Sequence, residues 1–315
     1  MQEFATIIRI RFAHLAHNYF YYGHLRKTYK KTKDIAILLT VCLCSMSCAN
    51  RIKQSIVSGI VDDFTIATKS HNDPLLVENA LPPLLLAVDA FLVDQPNNID
   101  LLTQAIEAYA SYGALVEMRD RKRAIPIYDR AHSYGKRALK IHLNQMDIHV
   151  LPFWSFEEKI NELNKRDLNV IYWCAAAWGG WINSNLHSMN AIADLPKVIA
   201  LMKWVVKTDE SFNNGGAHLF LGVFYSALPT MLGGDPNEAL HHFEKNIEIT
   251  KNRSLLPYVL MAEYYTRQIF DRKLHDQLLK YVTQHSVSSD SSYALENKIS
   301  QQRAFLLLDN ADDFF

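Results

Sequence analysis

The sequence predicts an all-α protein built from a repeated helix hairpin. Apolar residues recur with the 3.6-residue helical period from about Ile52 onward. No segment sustains the two-residue alternation that, with a hairpin signal, would mark a sheet. Short motifs of one hairpin type recur along the chain. With 315 residues, 49% hydrophobic and 21% charged, the chain is long and apolar enough for one or two globular domains or a repeat array.

Taken in order, Leu84, Val88 and Phe91 with Leu92 mark one helix face. Leu101, Leu102, Ala105, Ile106 and Tyr109 mark the next. Helices follow near 121–144, 167–185, 194–208, 212–228, 235–251, 254–269, 271–284 and 290–310. Turn chemistry separates them at Asp94-Gln95-Pro96-Asn97-Asn98, at Asn213-Asn214-Gly215-Gly216 and at Gly233-Gly234-Asp235-Pro236. Asp194 and Asp235 read as N-caps, and Pro196 and Pro236 suit a first helical turn.

The repeat is clearest between Phe212 and Thr250. Leu221-Gly222-Val223-Phe224-Tyr225 carries the Leu-Gly-x-x-Tyr element of a tetratricopeptide first helix, and Ala239 to Phe243 the Ala-x-x-x-Phe element of its second. Small Gly222 and Ala239 permit close helix approach, while Tyr225 and Phe243 fill the space beside them. The two elements stand further apart than in the usual repeat, and the excess falls in Pro229 to Gly234, an enlarged turn. Ala124-x-x-x-Tyr128, with Ala131 after it, reads as an earlier degenerate copy. The expected architecture is therefore a tetratricopeptide-like helical repeat, an α-α superhelix.

The N-terminus reads as an address. Lys30-Lys31-Thr32-Lys33 precedes an apolar run from Ile35 to Cys44 and a small-residue exit, Ser45-Met46-Ser47-Cys48. That is the pattern of a secretory signal peptide. An apolar run of about ten residues is too short to cross roughly 30 Å of hydrocarbon. Ser45-Met46-Ser47-Cys48 resembles a degenerate bacterial lipobox, whose cleavage leaves Cys48 as a lipid-modified first residue; a plain signal peptide with an incidental cysteine is the alternative. The division expected is a leader over 1–47, unusually long because of residues 1–29, and a helical-repeat domain over 48–315.

Charge and cysteines agree with export and exclude some functions. Lys plus Arg and Asp plus Glu number 33 each; residues 1–47 hold seven and two of them, which leaves 26 basic against 31 acidic in 48–315. Such a mildly acidic body lacks the electrostatic footprint for nucleic acid. Cys42 and Cys44 fall in the leader and Cys48 would be acylated, so Cys174 stands alone, in an apolar run where it behaves as a small hydrophobe.

The least ordinary segment is Val170 to Trp181. Val170, Trp173, Cys174, Ala177, Trp178 and Trp181 share an arc of about 140°, and Ala175, Ala176, Gly179 and Gly180 occupy the other side, where another helix could approach closely. The tryptophans are either core or the lining of an apolar ligand cavity. The candidate ligand-binding residues are Trp173, Trp178, Trp181, Phe224 and Tyr225, near the expected repeat groove.

No catalytic constellation is visible. There is no HExxH, GxSxG, Walker loop or dinucleotide fingerprint, so an enzyme, a metal site and a cofactor are not expected. Gly233-Gly234-Asp235 fits a helix-helix turn better than a phosphate nest. His241 and His242 diverge by about 100° on a helix and read as surface histidines. Glu157-Glu158 and Asp312-Asp313 read as solvated charges.

Together, the lipobox-like Cys48, the Trp173–Trp181 segment, Asp194-Leu195-Pro196-Lys197-Val198, Asn214-Gly215-Gly216-Ala217-His218, Leu232-Gly233-Gly234-Asp235-Pro236, Ala304-Phe305-Leu306-Leu307-Leu308 and the closing Asp312-Asp313-Phe314-Phe315 resemble the T-component family of TRAP transporters, the TatT-type periplasmic lipoproteins. The likeness covers nearly all of 48–315. It implies a lipid-tethered tetratricopeptide-like protein that is trimeric and has apolar channels or clefts. Its implied partner is the solute-binding P component of a tripartite ATP-independent periplasmic transporter, and its implied ligand an apolar or amphipathic small molecule. It implies a place in the bacterial envelope on the periplasmic side; Ala49 after Cys48 leans towards the outer membrane. A generic envelope scaffold for assembly or secretion is the competing expectation, distinguished by what it captures.

Overall fold

The computed structural model describes residues 63–288 and 292–315. The leader, the lipobox and Cys48 lie outside the described residues. Among the described residues there are helices and no strands.

Several helices start where a side chain satisfies their free N–H groups. Asp73 accepts from the amides of Leu75 and Leu76 to open α1 (Pro74–Asp94). Asn98 caps α2 (Ile99–Glu117) and Asp120 caps α3 (Arg121–His142). A 3-10 turn (Ile148–Val150) and α4 (Phe153–Asn161) follow, then the aromatic helix α5 (Leu168–Ser184). The short α6 (Met189–Ala193) leads into α7 (Leu195–Thr208). Asp194 stands at the start of α7 without a side-chain capping bond; its carboxylate is instead 3.5 Å from the Lys197 ammonium.

The next hairpin is α8 (Phe212–Ala227) and α9 (Pro236–Ile249). Asn213, Asn214 and Gly215 take left-handed φ values of 46°, 57° and 70°, which Asn and Gly tolerate best. The turn is held from three sides. The Asn246 amide donates to the carbonyls of Asn214 and Gly215 at 2.8 and 3.0 Å. Asn213 donates to the Tyr172 hydroxyl at 2.8 Å, and the Tyr293 hydroxyl to Asn214 at 3.1 Å. The enlarged turn before α9 contains a 3-10 turn (Thr230–Leu232) and Gly233 at φ 99°. Asp235 then caps α9 by accepting from Asn237 and Glu238.

The expected helix at 254–269 is interrupted. It runs as α10 (Leu256–Leu260), a π turn (Met261–Tyr265) and α11 (Thr266–Gln268). α12 (Arg272–Gln284) and α13 (Ala294–Asp309) complete the chain, and the tail docks back on it through Asp312 to Arg272, Phe314 under the Arg267 guanidinium, and Phe315 against Phe270 and His275.

Packing follows chain order. α2 lies on α3 and both pack on α5; α5 packs on α7, α7 on α8 and α8 on α9; the π turn lies on α8, α9 and α12, and α12 on α13. α13 also reaches α1. The motif residues occupy the tight contacts. Ala239 and Phe243 are wholly buried, and a Cβ on Gly222 would come within 3.0 Å of the Phe243 ring. Ala124, Tyr128 and Ala131 are buried in the first hairpin.

Candidate functional site

The five aromatic residues singled out by sequence fall into separate environments. Trp178 is fully buried. It packs on His149 at 4.1 Å between ring centroids, on His132 at 5.7 Å and on Phe156 at 6.4 Å. Trp181 is half-buried and stacks on His132 at 4.6 Å. Trp173, about two turns earlier and half-buried, meets Tyr172 edge-on at 5.0 Å. Phe224 and Tyr225 lie on α8, 5.2 Å apart, and Tyr225 stacks on His242 at 5.6 Å with the Lys203 ammonium over its ring. Among the described residues, no ring contact joins the tryptophans to Phe224 and Tyr225.

Burial governs the chemistry of this aromatic layer. It pushes His132 down to about 3 and holds His149 below the ordinary imidazole range, so both rings are neutral faces for the tryptophans at neutral pH. Beside them Lys197, with only 7% of its surface exposed, donates to the His149 carbonyl and pairs with Asp194. Cys174 is buried and its thiol is pushed up by burial, with the Sγ–H directed to the Gly135 carbonyl at 3.6 Å; it is an inert core residue.

His242 is not a surface residue. It is 8% exposed, and its Nδ1 lies 2.8 Å from Nδ1 of His218, itself 2% exposed. Only one proton fits between the two nitrogens, so one ring donates and the other accepts. Burial lowers both pKa values, His242 to about 4. His241 beside it is exposed, as its divergence along the helix requires. Among the described residues no group of three or more His, Cys, Asp or Glu side chains is placed to hold a metal ion.

A second group of residues, none of them among the candidate ligand-binding residues, brings distant parts of the chain together. Glu117 at the end of α2 accepts from the Tyr128 hydroxyl at 3.2 Å and from the Asn183 amide at 2.7 Å. Burial, reinforced by the Glu117 charge, pushes the Tyr128 phenol up, while Arg303 of α13 acts in the opposite direction. Arg303 pairs with Glu263 of the π turn. Tyr264, in the same turn, is raised by burial and feels Glu263, Arg303 and Glu117. Thus α2, α3, α5, the π turn and α13 all contribute to one charged and phenolic cluster. π turns are frequent at functional sites, and this one puts Glu263 and Tyr264 in a region where Tyr264 feels the Glu117 charge.

Gly180 makes room for Tyr128 of that cluster, and Gly179 beside it makes room for Phe220. A Cβ on Gly180 would stand 2.3 Å from Cε1 of Tyr128, and one on Gly179 would stand 2.6 Å from Cε2 of Phe220. The small face of α5 therefore admits aromatic rings from α3 and α8, where the sequence suggested the approach of a helix. Elsewhere, an apolar cavity of about 10 Å³ lies among Leu143, Ile148, Phe156, Ile171 and Leu201. It is smaller than any solute and holds at most one water.

These features define an all-α protein of serially packed helix hairpins, with an aromatic layer around α5 and a polar cluster that relates α2 and α3 to α13. The chain belongs to the TRAP transporter T-component family, TAtT, whose model matches residues 70–315. It is accordingly a component of a TRAP transport system of the bacterial envelope. No curated protein matches the sequence.

Proposed function

We propose that the chain is the lipid-anchored T component that partners the solute-binding P component of its TRAP transporter. The family match over 70–315 carries this reading. In it, residues 1–47 are removed, Cys48 bears the lipid, and the body acts on the periplasmic side as a tetratricopeptide-like superhelix, assembled as a homotrimer. It holds or hands over an apolar or amphipathic small molecule without covalent chemistry, needing no cofactor. The serial packing of hairpins supports a repeat surface on which a partner can lie. Half-buried Trp173, Trp181, Phe224 and Tyr225 are the aromatic groups within reach of a ligand, and buried Trp178 packs on His132, the ring on which Trp181 stacks. The polar cluster of Glu117, Tyr128 and Arg303 supplies what an amphipathic ligand's head group would need.

Co-purification tests the proposal. The full chain, solubilised from membranes, is used as bait for the solute-binding protein of the same transport system. Retention of that protein is the expected result. Capture of envelope assembly or secretion machinery in its place would favour the scaffold reading.

A further inference from the structure

α3 is charged unlike the rest of the body. It holds seven Lys or Arg and one acid, Asp129, within a region, 48–315, that is net acidic. At 100° per residue, Lys122, Arg130, Lys136, Arg137 and Lys140 share an arc of about 120°, and they span about 27 Å of helix. Arg130 is taken up by Asp89 at 2.8 Å. Lys122, Lys136 and Lys140 are exposed, and among the described residues no carboxylate lies within ion-pair distance of them.

A solvated basic face is ordinary by itself. Here it adjoins an apolar tip. The chain after α3 folds back so that His149 packs on His132 at 5.4 Å, and Lys136 is close enough for its charge to act on both imidazoles. The 3-10 turn therefore lies beside the middle of the basic stripe, and α4 begins three residues after it. There Val150 is 77% exposed, Phe153 41% and Trp154 66%.

The combination selects a bilayer over a protein. Indole and phenyl rings favour the headgroup boundary, and lysines beside them are attracted to anionic lipid. A few side chains on one tip suffice for such insertion, whereas a stable protein partner covers about 800 Å² on each side. We infer that the outer face of α3, together with the Val150–Trp154 turn, docks on an anionic phospholipid surface, with the lysines at phosphate level and Trp154 at the interface. This goes beyond the lipid anchor: an acyl chain tethers the protein, whereas this surface orients it.

The test uses the full chain carrying Cys48→Ala, so that acylation plays no part, titrated with vesicles of phosphatidylcholine alone or mixed with phosphatidylglycerol. Lys122→Gln, Lys136→Gln and Lys140→Gln alter exposed positions, and the leader is common to every variant. Binding should strengthen with phosphatidylglycerol, weaken at high salt, and fall by about fivefold per lysine replaced. Brominated lipid should quench the parent more than Trp154→Phe. Equal vesicle binding by the parent and the triple variant would overturn the inference, as would equal quenching of the parent and Trp154→Phe. Loss of P-component binding in the triple variant with vesicle binding unchanged would assign the surface to a protein instead. Flotation of the unmutated protein reads the lipid anchor separately, so the two readings fail independently.

Discussion

Substituting Gly180 by alanine should show how tightly the first hairpin and α5 are locked. The new Cβ would lie 2.3 Å from Cε1 and 2.6 Å from Cδ1 of Tyr128, where unstrained carbon contacts are about 3.5–4.0 Å. The ring has to move by more than about 1 Å. It is hemmed in on another side, since a Cβ at Gly113 would meet it at 2.9 Å, and its hydroxyl is bonded to Glu117. Overpacking of this kind costs about 1–3 kcal/mol, against a gain of about 1 kcal/mol from replacing a helical glycine. Gly180→Ala should therefore destabilise the protein by about 2 kcal/mol at most, or roughly 5 °C in Tm. In a Tyr128→Ala background the obstacle is gone, and the same substitution should stabilise by about 1 kcal/mol. Urea denaturation of the four proteins of this cycle measures both values. An equal cost in the two backgrounds, or stabilisation of the parent, would refute the wedge argument.

Other perturbations bear on the rest of the structure. Trp178→Ala, which empties a fully buried site, should cost about 3–5 kcal/mol by denaturation, whereas half-buried Trp173→Ala should cost less and chiefly weaken binding of an apolar probe. Arg303→Ala leaves the Glu263 carboxylate, 17% exposed, without its partner; a loss of about 2 kcal/mol is expected, part of it restored by adding Glu263→Gln, and a neutral single variant would contradict the pairing. His132 and His242 have folded pKa values depressed to about 3 and about 4, so as pH falls below the unfolded value near 6.5 the unfolded chain takes up protons first. Stability is therefore full above that value and lost towards acid, at up to about 1.4 kcal/mol per pH unit for each histidine. Denaturation midpoints that stay flat from neutral to moderately acid pH would show those rings to be solvated.

The helices were legible because their signals are local. Of the two caps expected, Asp235 accepts from free amides and Asp194 does not, and the 3.6-residue period marks α3, α5, α8 and α9 within a residue or two of their observed ends. The Gly222–Phe243 contact was legible for the same reason, being a small residue and a large one at fixed hairpin spacing. α4 and α6 were not, because nine and five residues give too little period to separate from a loop. The π turn was hidden too, since one extra residue in a helix changes no residue type. The Glu117–Tyr128–Arg303 cluster was missed because its members stand far apart in sequence, and only the packing order makes them neighbours. The nearest sequence cue was Gly179-Gly180, whose opening is filled by the Tyr128 and Phe220 rings. His242 misled because helical divergence from His241 says nothing about His218 on the facing helix.

In the proposed function, this family member works by holding a solute-binding partner. Native mass spectrometry of the full chain carrying Cys48→Ala, with and without the solute-binding protein of its transport system, tests it most directly. A homotrimer that gains the mass of the partner and retains a small apolar molecule released on activation is the expected result. A ligand-free monomer whose mass is unchanged by the partner would contradict it.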